Sequence, residues 1–345
     1  MRLSNPGSPN ASIASIAPVP AERGTLRLAL RMRHAGTRDV ALRWERAGAR
    51  GGPVVAVLGG ISAHRHVAAN ETDRSTGWWE AQAGAGRAID TGACELLSLD
   101  WLGADGALDC VIDPADQADA LAHVLDALGI GRLHAVVGAS YGAQVALQLA
   151  ALHGPRVDRV VAISGVHRAH PYASAWRALQ RQALALGAFQ CDASHGLALA
   201  RQLALLSYRT PEEFDARFGA AQVVGTRVRV AAEGWLEHCG NAFAARMGTV
   251  AYARLSESID LQHVEPERIR VPVTVVAVAE DRLVPVSDAY ALAERLRGET
   301  RLRVLRSPYG HDAFLKETAL VDGVLRDALD LHAPAARAGR SAVAA

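Results

Sequence analysis

Three side chains that lie far apart in the chain have the types and the order needed for acyl transfer to an oxygen nucleophile: Ser140, Asp281 and His311. Ser140 sits in Gly138-Ala139-Ser140-Tyr141-Gly142, a G-x-S-x-G placed between the apolar run at residues 134–137 and the apolar stretch Val145–Leu152. A serine on such a strand-to-helix turn is pushed out of the sheet edge, and only small neighbours fit its strained backbone. The helix that follows begins with partial positive charge, which favours a developing anion. A hydroxyl attacks poorly until a base removes its proton, and the base needs an acid to orient it. In this arrangement the acid and then the histidine follow the serine in the chain. Asp281 comes straight after the strand-like run VPVTVVAVA, at the strand end where catalytic loops gather. His311 follows the next such run, in Ser-Pro-Tyr-Gly-His. Glu280 is the competing acid, and Asp281 is preferred. The oxyanion would be held by the backbone N–H of Tyr141 and by one from the turn around Gly59, Gly60 and Ile61. His64 and His66 have a metal-like spacing but suggest no third ligand, so they are read as loop residues, and His238 is given no role.

The elements that must position these groups alternate along the chain. Val54–Leu58, Glu95–Leu99, the run at 134–137 and Val157–Ser164 are short apolar runs, several closed by glycine, and read as buried strands. Between the second and third lies a helix over Pro114–Leu128, capped by Asp113, with Pro114 at its first position and Gly129 ending it. Strand character returns at Val271–Ala279 and Arg301–Leu305 around a helix at Asp288–Arg297. The fold class is therefore α/β, with a mostly parallel, doubly wound sheet. From about His170 to Arg268 the rhythm is helical, as in Ala173–Leu186 and Ser194–Leu206, which implies a helical lid inserted over the sheet. The expected organisation is a flexible tail (1–23), a first core part (24–169), the lid (170–268), a second core part (269–332) and a flexible C-terminal tail (333–345).

Composition excludes several classes. The chain has 345 residues, 50% of them hydrophobic and 21% charged, which is ordinary for a globular enzyme. Lys and Arg number 37 against 36 Asp and Glu, so a net charge of +1 offers no footprint for nucleic acid. Lys316 is the only lysine. The four cysteines, Cys94, Cys110, Cys191 and Cys239, form no CxxC pair and suggest neither a metal site nor a disulfide framework. Prolines interrupt the N-terminus, which reads as no signal peptide, and no apolar run of about 18 residues suggests a membrane span. A reduced, cytoplasmic enzyme is expected.

With these residues in place, the chain resembles the MetX-like homoserine O-acyltransferases of the α/β-hydrolase fold from about Val54 to Phe314. The landmarks are Gly77-Trp78-Trp79-Glu80, the GASYGA elbow, Tyr208-Arg209-Thr210-Pro211-Glu212-Glu213-Phe214 with Arg217-Phe218-Gly219, AEDRLVPV, and Gly310-His311-Asp312-Ala313-Phe314. The segments around Arg209 and His311 are far more specific than the elbow, because other hydrolases of this fold share only the three reactive residues.

The resemblance implies transfer of an acyl group from acyl-CoA to the hydroxyl of homoserine, in methionine biosynthesis. Acyl-CoA would be a co-substrate, with no cofactor or metal. Ser140, Asp281 and His311 would be the triad, Ile61 and Tyr141 the oxyanion donors, and Arg209 and Asp312 the partners of the amino acid's carboxylate and ammonium. An Arg fork suits a carboxylate and a fixed Asp an ammonium. The elbow departs from the family's usual Gly-Gly-Ser-Met-Gly-Gly, and Gly-Gly-Ile-Ser-Ala replaces a His-Ala-Leu-Thr-Gly-type run. The short, divergent chain leans towards the homoserine O-succinyltransferase subgroup. A homodimer binding only small molecules is implied, with no nucleic acid or membrane partner. The alternatives are a serine O-acyltransferase of the same family, a plain esterase or thioesterase, and a silent binding protein of this fold.

Overall fold

The computed structural model describes residues 19–189 and 192–331. Eight strands form one sheet: β1 (Ala21–Met32), β2 (Gly36–Gly48), β3 (Val54–Leu58), β4 (Glu95–Leu99), β5 (Ala135–Ala139), β6 (Val160–Ile163), β7 (Val273–Val278) and β8 (Thr300–Leu305). Their spatial order is β1-β2-β4-β3-β5-β6-β7-β8. The first two pairings are antiparallel and the others parallel. This is the α/β-hydrolase fold. The central strands read as unbroken apolar runs because both of their faces are covered. Val136 and Val137 are neighbours in β5, yet each packs into a different core cluster, one on either side of the sheet.

Helix α1 (Pro114–Ala127) keeps the start read from its sequence. Asp113 accepts the amide of Ala115, and Asp116 reaches back to the amide of Asp113, so two otherwise unpaired donors are satisfied. Helix α2 (Tyr141–Leu152) follows β5 directly. Helix α8 (Val286–Arg295) links β7 to β8. The short α9 (Ala313–Lys316) and α10 (Thr318–Leu329) close the chain against the sheet face that holds Val137.

The lid holds α3 (Pro171–Phe189), α4 (Ala193–Tyr208), α5 (Pro211–Arg217), α6 (Ala232–Ala244) and α7 (Thr249–Asp260). A small hairpin, Gln222–Val224 with Arg227–Arg229, joins α5 to α6. A backbone bridge between Arg168 and His263, and a bond of 2.8 Å from the Val264 amide to the His167 carbonyl, tie together the two strands of chain that enter and leave the lid.

Residues 24–53, where the apolar runs suggest no element, hold most of the longest strand pair. In β1, Leu26, Leu28, Leu30 and Met32 alternate with the exposed Arg27, Ala29 and Arg31, the pattern of an antiparallel strand with one wet face. The tail expected over 1–23 also ends early. Ala21, Glu22 and Arg23 belong to β1 because they pair with Ala47, Arg46 and Glu45 of β2. Residues 1–18 and the tail expected at 333–345 lie outside the described residues, as does Cys191. Among the described residues, no helix is long and apolar enough to cross a membrane.

Candidate active site

Ser140 stands between β5 and α2 with φ +55° and ψ −117°, a conformation that non-glycine residues rarely adopt. Such strain costs about 1–3 kcal/mol and persists only where the surroundings enforce it. Here they do. The Ser140 amide donates to the Ile163 carbonyl of β6 at 2.8 Å, and the Gly142 amide donates to the Gly59 carbonyl at 2.8 Å. A Cβ on Gly138 would lie 2.2 Å from the Gly142 carbonyl oxygen, and one on Gly142 would lie 2.1 Å from that of Leu58. The two glycines of the motif are thus required by close backbone approach on either side of the turn.

The Ser140 Oγ lies 2.8 Å from His311 Nε2. On the other side of the ring, His311 Nδ1 lies 2.7 Å from Asp281 Oδ2. The second carboxylate oxygen of Asp281 accepts the amides of Leu283 (2.8 Å) and Val284 (3.0 Å), which fixes the acid's orientation. Glu280 faces away, accepting from the Ser307 amide at 2.8 Å and from Arg306. Both residues lie in the turn beyond β7, and Asp281, the preferred acid, is the one that faces His311. Burial disfavours the charged form of His311, but the charge and hydrogen bond of Asp281, helped by the charge of Asp312, outweigh it and hold the imidazole's pKa above its ordinary value. A hydroxyl, an imidazole and an oriented carboxylate in hydrogen-bonded series can move a proton off the serine and stabilise the imidazolium that results.

Tyr141 follows the nucleophile position, and its amide is among the first N–H groups of α2, which no helical carbonyl reaches. Its side chain is fully buried. The phenol is 2.6 Å from Ser258 Oγ on lid helix α7, and the ring meets Trp101 edge-on at 4.8 Å. Trp101 in turn donates its indole N–H to the Gly60 carbonyl at 2.9 Å. Tyr141 therefore couples the elbow, the turn that holds Ile61, and the lid. Trp78 and Trp79 brace the same region, donating to the carbonyls of His64 and Phe314, each at 3.0 Å.

Two cavities meet at Ser140 and His311. The wider, about 290 Å³, is lined by Ile61, His64, Arg201, Arg246 and Asp312. The narrower, about 40 Å³, extends under α3 and is lined by Gln144, Ser164, Arg168, Arg177 and Gln180. Arg209, at the end of α4, lines neither. Its Nε donates to Asp312 Oδ2 at 2.8 Å, so the two residues matched to an amino acid's charged groups are paired with each other. Of the paired histidines, His66 is buried, with Nδ1 3.1 Å from Glu45 and Nε2 2.8 Å from the Ser75 carbonyl. His64 faces the wider cavity, and burial lowers its pKa. Exposed His238 lies on α6. Among the described residues, no group of three His, Cys, Asp or Glu side chains is arranged to hold a metal.

Sequence reasoning did not single out Arg168, Arg177, Arg201 or Arg246. For Arg177 a signal existed. Ala173, Gln180 and Leu184 mark the buried face of α3, and Arg177 falls on that face at helical spacing, a charge inside an otherwise covered stripe.

The model of the alpha/beta hydrolase fold matches residues 75–318. A homoserine O-succinyltransferase of Xanthomonas campestris pv. campestris is 58% identical over 311 residues, 90% of this chain and 84% of that one. A homoserine O-acetyltransferase of Thermus thermophilus is 33% identical over 281 residues, 72% of this chain and 71% of that one. The crystal structure of a homoserine O-acetyltransferase from Bacillus anthracis superposes with a TM-score of 0.80 at 17% identity, covering 91% of this chain and 98% of that one, a likeness of fold.

Proposed function

The chain belongs to the homoserine O-acyltransferase family of the α/β-hydrolase fold, and from that premise we propose that it moves a succinyl group from succinyl-CoA to the hydroxyl of L-homoserine through an acyl-serine intermediate. The observation that carries this reading is the hydrogen-bonded series Ser140–His311–Asp281 beneath the lid, in a chain so similar to a succinyltransferase.

His311 Nε2 takes the proton from Ser140 as Oγ attacks the thioester carbon. The tetrahedral oxyanion is held by the amides of Tyr141 and Ile61. Collapse expels the CoA sulfur, which receives the proton from His311, and leaves the acyl group on Ser140. The homoserine hydroxyl then gives its proton to the same nitrogen and attacks the acyl-serine. Collapse releases the ester and returns the proton to Ser140. Asp281 stays ionised throughout and holds the ring in the tautomer that accepts at Nε2.

Water is present at about 55 M, so the bound alcohol prevails only if the site is covered and the alcohol is positioned. The lid supplies the cover. The Arg209–Asp312 pair supplies the positioning: a zwitterionic amino acid entering between these charges exchanges one buried ion pair for two, with its carboxylate on Arg209 and its ammonium on Asp312.

Incubation of the protein with succinyl-CoA or acetyl-CoA, each with homoserine or serine, tests the reading by product mass. O-succinylhomoserine should be the main product. Release of CoA at a rate indifferent to either alcohol would instead identify an esterase or thioesterase.

A further inference from the structure

We propose that the narrow cavity under α3 binds the distal carboxylate of the acyl group, with Arg177 as its charged partner and Ser164 as a second donor, so that these residues select a dicarboxylic acyl donor. The proposal rests on the acyl-serine reading of Ser140 and adds where the acyl tail lies and what recognises it.

Charge separates the two cavities that meet at Ser140. The wider one holds Arg201 and Arg246 but also Asp312, which suits an ammonium. Among the described residues, the narrow one is lined by two guanidiniums, Arg168 and Arg177, and by no Asp or Glu. Arg168 is paired with Asp288 at 2.6 Å. Arg177 shares its partner: Asp260 receives Arg177 Nε at 2.7 Å and Arg181 Nη2 at 2.8 Å, so two cations meet one anion. Arg177 Nη2 reaches Ser174 Oγ at 3.2 Å, and its Nη1 makes no hydrogen bond among the described residues. A guanidinium with one edge fixed and another nitrogen unused is preorganised for an incoming carboxylate.

Among the described residues, two buried polar groups in the same lining lack partners. Ser164, 1% exposed and held at φ +49° just after β6, has no partner for its hydroxyl. Gln144, one turn beyond Ser140 on α2, has none for its amide oxygen. A buried hydroxyl or amide left unpaired costs about 1–3 kcal/mol, so such groups in a native site point to a bound partner. The Ser164 hydroxyl can donate to a carboxylate, and the Gln144 amide can turn its NH₂ to do the same. The volume fits as well. A cavity of about 40 Å³ suits a short arm of a few atoms, as in a succinyl tail.

The test uses the full-length protein and the burst of p-nitrophenol on acylation of Ser140, which needs no acceptor. The substrates are p-nitrophenyl hydrogen succinate and its uncharged near-isostere, p-nitrophenyl butyrate. Arg177→Met should lower the succinate-to-butyrate ratio of burst rates by about 30-fold or more, the range of a charge-assisted hydrogen bond. Arg177→Lys should recover part of the ratio, and Ser164→Ala should lower it by about five- to tenfold. A ratio within threefold of the unmodified protein's in both Arg177→Met and Ser164→Ala would overturn the proposal, as would equal losses on both esters. Should Arg177→Met not fold, Ser164→Ala and Arg177→Lys decide by the same ratio. Because the burst is independent of homoserine, failure of this proposal is separate from failure of the acceptor assay. Absence of any burst in the unmodified protein would refute the acyl-serine reading itself.

Discussion

The sheet and the lid are built differently, and they contribute different chemistry. In the sheet Val55, Val136, Val137 and Ala162 are completely buried, covered from both faces. The lid closes on one small cluster of Leu184, Leu197, Ala200, Phe243 and Tyr252, and leaves Leu186 65% and Phe189 85% exposed. The hydrogen-bonded series of Ser140, His311 and Asp281 stands on loops of the sheet. Of the guanidiniums that line the two cavities beside them, Arg177, Arg201 and Arg246 come from the lid and Arg168 from the chain just before it. A series in which proton transfer would fail if distances drifted by an ångström thus stands on the densely packed half. Three of the four guanidiniums lining the cavities, whose charge acts over longer range and tolerates adjustment, stand on the looser half.

The largest test of this division is Ser140→Ala, which should abolish the acyl-enzyme and lower turnover by roughly 10⁵–10⁶-fold; the mass of the trapped intermediate checks it. Asp281→Asn should reduce kcat by about 10³–10⁴-fold while leaving the fold intact, because the imidazole loses its orienting acid. It should also move the pH profile. His311 must be neutral to act as base, and its pKa is held above the ordinary value, so activity falls as pH drops through that raised pKa. Removing the charge of Asp281 removes the largest raising influence, and the acid limb of kcat/KM should shift to lower pH. An unmoved limb would mean that another group sets it.

Packing provides the next contrast. Leu147→Ala, in the completely buried face of α2, should cost about 2–5 kcal/mol in denaturant unfolding. The same change at exposed Leu186 of the lid should stay within about 0.5 kcal/mol. Equal losses would break the comparison. Arg209→Ala should raise the KM for homoserine by about 10–100-fold with a smaller change in kcat, as expected for a charge-assisted contact made before the chemical step. The smallest effect expected at the site is that of Tyr141→Phe. This change removes the bond between the elbow and Ser258 of the lid and should cost about 1–2 kcal/mol of stability, seen as a lower Tm.

The fold was largely legible along the chain because its central strands are covered on both faces, so continuous runs such as VVAVL announce themselves. The hairpin β1–β2 was not, because its alternation of leucine with arginine is a weaker signal than a solid run. The site divides in the same way. The glycines around Ser140 and the order of serine, acid and histidine are local or topological facts, readable without coordinates.

What the sequence determined by itself was the identity of the reactive groups and the kind of turn and strand end that present them, since these depend on a few neighbouring residues. Only the tertiary structure decided that Glu280 turns to Arg306 and the Ser307 amide, that Arg209 and Asp312 face each other, and that Arg177 enters the space beside Ser140. Each of these follows from how the lid and the strand ends are directed in space. Direction is set by packing between distant segments, and no local spacing encodes it.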